Sequence, residues 1–102
     1  MRLVIRLNRI DQSKQCLVVR NQTGKIIGFG LSIFEPINLI LGPIVAPDPQ
    51  TAAIIIDGLA LKHNGKLRID VSSDNNELMF FLQKSGFVKV NERLLETFYC
   101  HS

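Results

Sequence analysis

The residues best placed to do chemistry in this sequence are few, and Asp48 is the most conspicuous. It stands between Pro47 and Pro49 in the run LGPIVAPDPQTAAII, Leu41 to Ile55. Free backbone amides at a helix start attract anions, because the unpaired N–H groups and the helix dipole both favour negative charge. Pro47 and Pro49 each remove one such donor, and Asp48 adds a negative charge beside the rest. Two further carboxylates are possible bases. Glu35 precedes Pro36 at a corner, and Asp70 lies within the apolar run KLRIDV. Burial of Asp70 between strands would raise its pKa, the property of a general base; local pairing or capping is the competing reading. Tyr99 is the only tyrosine. Its plainer role is partial burial with a solvated hydroxyl.

Metal and thiol chemistry find little support. Cys16 and Cys100 are far apart, no CxxC pair occurs, and the two histidines do not complete a Cys/His zinc site. Free thiols in a reducing cytoplasm follow, with a single disulfide as the alternative. Cys100 and His101 are neighbours in a strand and so point to opposite faces, which excludes a thiol–imidazole pair. His63 is expected to serve the C-terminal dipole of its helix.

The chain has 102 residues, a net charge of +3 and a pI near 9.1, and 46% of it is hydrophobic. This suits one small globular domain, 1–102, of modest stability. The positive charges are scattered, without a basic stripe interleaved with aromatics, so nucleic-acid binding is disfavoured. Arg2, Arg6 and Arg9 interrupt the apolar N-terminus, which reads as neither a signal peptide nor a membrane span. A soluble cytoplasmic protein is expected.

The elements that must position these groups follow from periodicity. Leu3, Ile5 and Leu7 predict a short strand with one strongly buried face. Cys16 to Arg20 and Ile26 to Phe34 predict a hairpin, with turn chemistry in Asn21 to Lys25 and Gly24 able to take positive φ. Gly28 and Gly30 within the returning strand suggest room for a crossing helix, or else a bulge or ligand approach. Ile37 to Val45 reads as a long strand that bulges or splays at Gly42–Pro43. Asp48 as N-cap and Pro49 at the first helical position start a helix running to about His63. Its stripe is Ala52, Ala53, Ile56, Leu59, Ala60 and His63, and Asn64–Gly65 stops it. Lys66 to Val71 is a strand. A second helix begins at Ser73–Asp74, with Asp74 and Glu77 as a capping box. It presents Leu78, Phe81, Leu82 and Ser85 on one face and ends at Gly86. Phe87 to Val90 and Leu94 to Cys100 are strands joined by a turn at Asn91 to Arg93. The order predicts an α/β domain, a mixed sheet crossed by helices.

Three stretches carry a family resemblance. The hairpin VVRNQTGKIIGFGL is similar to the second and third strands of the GNAT superfamily of N-acetyltransferases. LGPIVAPDPQTA resembles its run "GPLVADDPxxA", and RIDVSSDNNELMFFLQKSGFVKV resembles "DVPxxNxxAxxLLxxxGFxxV". The similarity covers roughly Cys16 to Thr97 and is nearest to a GNAT-type domain forming the C-terminal half of certain two-domain acetyltransferases.

The resemblance implies a mostly antiparallel mixed sheet with acetyl-CoA in the V between the fourth and fifth strands. By position, Gly42, Pro43, Ile44 and Val45 would hold the pantetheine. The loop containing Asp48, Gln50 and Thr51 would hold the pyrophosphate, with Asn75 touching the cofactor. An amine of unknown identity would attack the thioester directly. Glu35 or Asp70 would be its base and Tyr99 the proton donor to the leaving thiolate. No metal is implied.

The departures are specific. The usual pyrophosphate loop, Q/R-x-x-G-x-G/A, is here APDPQT, and Leu82 occupies the usual tyrosine position before Gly86–Phe87. Only Asn8 to Gln15 joins the first two strands, where a complete GNAT domain carries two helices that build much of the acceptor site. A homodimer that completes the site is therefore one expectation. A non-catalytic binding domain and a fragment of a larger two-domain enzyme are the alternatives.

Overall fold

The computed structural model describes residues 3–35, 38–61, 63, 65–72, 75–92 and 95–101; the side chains of 72, 90–92 and 95–101 are not among those described. Nine elements follow in the order β1 (Val4–Arg9), β2 (Lys14–Arg20), β3 (Ile26–Phe34), β4 (Asn38–Val45), α1 (Pro49–Ala60), β5 (Lys66–Ser72), α2 (Asn76–Lys84), β6 (Val88–Glu92) and β7 (Leu95–His101). The strands form one sheet in the order β1-β2-β3-β4-β5-β7-β6. Every neighbouring pair is antiparallel except β4–β5, which is parallel and bridged by α1. This is the mixed, mostly antiparallel sheet with two crossing helices that the sequence predicts.

The core lies on one face of the sheet because side chains alternate along each strand. Leu17 and Val19 of β2, Leu39 and Leu41 of β4, and Leu67, Ile69 and Val71 of β5 are all buried. Register places Gly30 opposite Leu17 and Gly28 opposite Val19. The two glycines leave a trough for α1. A Cβ at Gly28 would approach the side chains of Ile55 and Thr51 at 3.4 Å and the Val45 carbonyl oxygen at 2.8 Å. The packing-room reading of these glycines therefore holds, and β3 also carries a register shift against β4 between Gly30 and Ser32. Gly58 makes the matching approach from the helix, where a Cβ would collide with Leu17. Leu78 and Leu82 of α2 join the same core.

Several local expectations need correction. β1 is exposed along its whole length, with Ile5 at 49% and Leu7 at 48%, rather than buried on one face. It is the outermost strand, and α1 lies over β2, β3 and β4 instead. Helix α1 ends at Ala60, short of His63, and its buried residues are Thr51, Ala52, Ile55, Ile56 and Leu59. The face is thus rotated toward Ile55, which seats over Gly28 and Gly30, and Ala53 is only half-buried. Helix α2 is capped by Asn75, whose Oδ1 accepts the Leu78 N–H at 3.3 Å, rather than by Asp74, which lies outside the described residues together with Ser73. Asn91 belongs to β6 and not to a turn, because the strand shifts register against β7 between Lys89 and Asn91 and continues to Glu92. Ser85 is the exposed C-cap of α2, not part of its buried face.

Candidate functional site

The sheet opens between β4 and β5. Their parallel pairing runs from Asn38–Lys66 to Leu41–Ile69 and stops, although both strands continue. The cause is local. Gly30 pairs with Ile44 and Ser32 with Leu41, so Gly42 and Pro43 together oppose the single residue Leu31. That is a bulge, which bends its strand. Pro43 has no N–H to give a ladder, and Gly42 takes φ +142, where a side chain would be strained. Gly42 also lets the strands approach at the crotch, where a Cβ would sit 3.3 Å from the Asp70 carbonyl oxygen.

Above this point lies a cavity of about 390 Å³, within the usual range for small-molecule sites. Gly42, Pro43, Ile44 and Val45 form one wall, Asp70 and Val71 the other, and Asn75 and Leu78 of α2 close the end. Five expected cofactor residues, Gly42, Pro43, Ile44, Val45 and Asn75, thus meet in one wedge. Val71 and Leu78 were not anticipated. Their only sequence signal is apolar alternation in β5 and the apolar stripe of α2 to which Leu78 and Leu82 belong.

The loop entering α1 is folded as its cap chemistry dictates. Asp48 is the N-cap, and its Oδ1 accepts the Thr51 N–H at 2.7 Å. This hydrogen bond holds the Asp48 carboxyl below its ordinary range. The Ala52 N–H donates to the Asp48 carbonyl oxygen at 3.1 Å. Thr51 therefore offers no free amide at the helix start. Its amide is taken by Asp48, and its side chain is 5% exposed and packs toward Gly28. The Gln50 side chain is exposed and lines neither the wedge nor the cleft beside it, leaving only its main-chain amide in the first turn. That cleft, about 40 Å³, lies between the two helix starts and is lined by Asp48, Asn75 and Glu77 among others. Both helix N-termini thus face a carboxylate, which opposes the binding of a diphosphate.

The candidate acid–base residues are scattered. Asp70 reaches the wedge wall, but its carboxylate is held by Arg68, with Nε–Oδ1 at 3.1 Å and Nη2–Oδ2 at 3.2 Å. The local-pairing reading of Asp70 is the one realised. Glu35 is not in the site. Its N–H donates to the Asn38 carbonyl oxygen at 2.8 Å, at the paired end of β4, and four residues of extended chain put it about 13 Å from Gly42. The β3–β4 corner simply lies at the wrong end of the strand. Tyr99 is in β7 opposite Arg68, and its side chain lies outside the described residues.

A family model described as the acetyltransferase (GNAT) domain matches residues 4–95. The chain belongs to the GNAT acetyltransferase family. It is 45% identical over 83 residues to the Bacillus subtilis protein named uncharacterized N-acetyltransferase YitH, a match spanning 81% of this chain and 29% of that protein. The fold is shared with Campylobacter jejuni N-acetyltransferase PseH, solved in complex with acetyl coenzyme A, at TM-score 0.68 and 18% identity over 90% of this chain and 70% of that one. It is shared too with mutant forms of the spermidine/spermine N-acetyltransferase SpeG from Vibrio cholerae, at TM-score 0.66 and 17% identity over 90% of this chain and 66% of that one. In this GNAT domain the link between β1 and β2 is a tight turn. The N–H groups of Ile10 and Asp11 donate to the Lys14 carbonyl oxygen at 2.8 and 3.2 Å, and Asp11 Oδ1 accepts from the amides of Ser13 and Lys14. The two helices expected of a complete GNAT domain do not stand there. No described helix is long and apolar enough to cross a membrane.

Proposed function

We propose that this domain binds acetyl-CoA in the wedge between β4 and β5 and takes part in transfer of the acetyl group to an amine. The observation that carries this is the interrupted pairing. Beyond Leu41 the β5-facing side of β4 has no register partner while β3 still covers its other side. An extended amide chain such as pantetheine can add to such an edge as a strand would. The residues present fit the pantetheine arm and fit the pyrophosphate poorly, for the reasons given by Asp48, Pro47 and Pro49.

Direct transfer needs an amine nitrogen placed against the thioester carbonyl carbon. The nitrogen forms the new C–N bond, loses a proton, and the C–S bond breaks with thiolate as leaving group. Gly42 to Val45 would orient the thioester. Asp70 is the one titratable side chain among the described residues of the wedge wall. To act as base it would take the amine proton directly or through water while Arg68 holds its orientation. The acceptor is an amine of unidentified structure.

A second reading, a binding domain without turnover, is favoured by one observation: the Asp48 carboxylate occupies the amide that a phosphate would use. Calorimetric titration with acetyl-CoA, on the wild type and on Asp48→Gly, separates the two. Binding by the wild type supports the proposal. Binding by the variant alone supports an inherited site disabled by Asp48, and binding by neither refutes the cofactor site.

The wider setting is read as follows. The free thiol of Cys16 supports a reducing, cytoplasmic location. Exposed β1, with Val4 at 53% and Ile5 at 49%, is an open edge suited to pairing with a second copy. The relative YitH, of which this chain spans 29%, equally supports a role as one part of a two-domain enzyme. Light scattering across concentration tests the homodimer, and a monomer throughout refutes it.

A further inference from the structure

A second cavity, of about 370 Å³, opens at the other end of α1. Asp48 and Ala52 at the start of the helix reach the cleft beside the wedge, while Gly58, Leu59 and Leu61 at its end line this cavity. The wedge and this cavity share no lining residue, so the cavity is a separate site.

Its chemistry is distinctive. Leu7, Leu39 and Leu59 supply apolar walls. Ser32 lines it from β3, and its hydroxyl, which opens into the cavity, has no hydrogen-bond partner among the described residues. A hydroxyl open to a cavity can donate to an acceptor on a ligand and accept from a donor. Arg9 stands at the mouth, opposite Gln15 in the β1–β2 register. Its guanidinium has no ion-pair or hydrogen-bond partner among the described residues. The nearby carboxylate of Asp11 is turned into its own turn, where it accepts from Ser13 and Lys14, and no Asp or Glu lines the cavity. His63 forms a fixed side wall. Its Nε2 donates to the Lys66 carbonyl oxygen at 2.9 Å, which sets the tautomer, and its ring packs edge-on to Phe34 at 6.1 Å.

We propose that this cavity is a second ligand site, taking a small apolar carboxylate that also carries a carbonyl, the chemistry of an N-acylated apolar amino acid. The carboxylate pairs with Arg9, whose fork of donors suits it. The apolar body lies against Leu39 and Leu59, and the carbonyl oxygen accepts from the Ser32 hydroxyl. An ammonium ligand is disfavoured because the cavity offers a cation and no carboxylate. The site is independent of the wedge and of whether acetyl-CoA binds there.

The test is amide-resolved NMR titration of the whole chain with N-acetyl-L-leucine, and with N-acetyl-L-leucinamide as the uncharged control. Saturable shifts at Ser32, Leu59 and His63 are expected, with the amide at least about tenfold weaker. Arg9→Gln, at an exposed edge where folding is safe, should produce the same loss, and Ser32→Ala should weaken the acid about threefold or more. Octanoate, which lacks the inner carbonyl, should bind like the acid does to Ser32→Ala. Equal affinity for acid and amide, indifference to Arg9→Gln, shifts confined to Gly42–Val45, or no saturable binding would each overturn the proposal.

Discussion

Replacing Gly30 by alanine tests the seating of α1 on which the wedge depends. The added Cβ would overlap the Cγ2 of Ile55 and lie 3.2 Å from the Cδ1 of Leu59. Both side chains are in the core, at 0% and 5% exposure. Cγ2 belongs to a β-branched side chain, whose stiff χ1 in a helix gives it no easy retreat. The helix backbone must move instead. Overpacking of this kind costs about 2–3 kcal/mol. For a domain of this size that is a fall in Tm of roughly 8–20 °C. The displacement should also reach the wedge, because Ile44 Cγ1 lies 3.6 Å from the same Cβ position. Urea unfolding followed by circular dichroism measures the loss. Ile55→Leu removes the β-branch at the point of collision, so the double variant Gly30→Ala/Ile55→Leu should lose less than the sum of the two single changes. A Gly30→Ala variant within about 2 °C of wild type, or strict additivity in the double variant, would refute this account of how α1 sits on β3.

Other consequences concern charge and caps. Asp48→Asn keeps a good N-cap while removing the charge, so acetyl-CoA should bind roughly tenfold tighter at low salt, with the gain shrinking as salt is added; calorimetry reads both. The Asp48 carboxyl is held below its ordinary 3.8 by the Thr51 N–H, so this contribution to stability is present above that value and is lost as pH falls through the lower folded value. The acid limb of the unfolding curve should be flatter in Asp48→Asn than in wild type. Asn75→Ala removes the α2 cap and should cost about 0.5–1 kcal/mol, read as a shift of the urea midpoint. In an assay with a found amine, Asp70→Asn should lower kcat by about a hundredfold or more if Asp70 is the base; an unchanged kcat would remove it from the mechanism.

The sequence alone determined most of the framework, because its signals are local. Turn chemistry in Asn21 to Lys25, the start at Asp48–Pro49, and the stop at Gly86 depend on neighbours within a few residues. Gly42–Pro43 announced the splay for the same reason, since a missing donor and a glycine conformation are properties of the residues themselves. The family resemblance rested on these same stretches and located the wedge. What only the tertiary structure decided is which groups meet across it. Alternation in KLRIDV puts Asp70 on the same side of β5 as Arg68, so the nearest partner claimed the carboxylate. Glu35 is a candidate base by its place at the strand corner, but that corner lies at the paired end of β4. Thr51 belongs to the loop by number, yet the turn of the helix directs it into the sheet. The second cavity had no sequence signature, because Arg9 of β1, Ser32 of β3 and His63 beyond α1 line one space only once the sheet and the helix crossing it have assembled. Spacing along the chain fixes caps, turns and strand faces; distance in space between remote side chains is fixed by the packing of the elements.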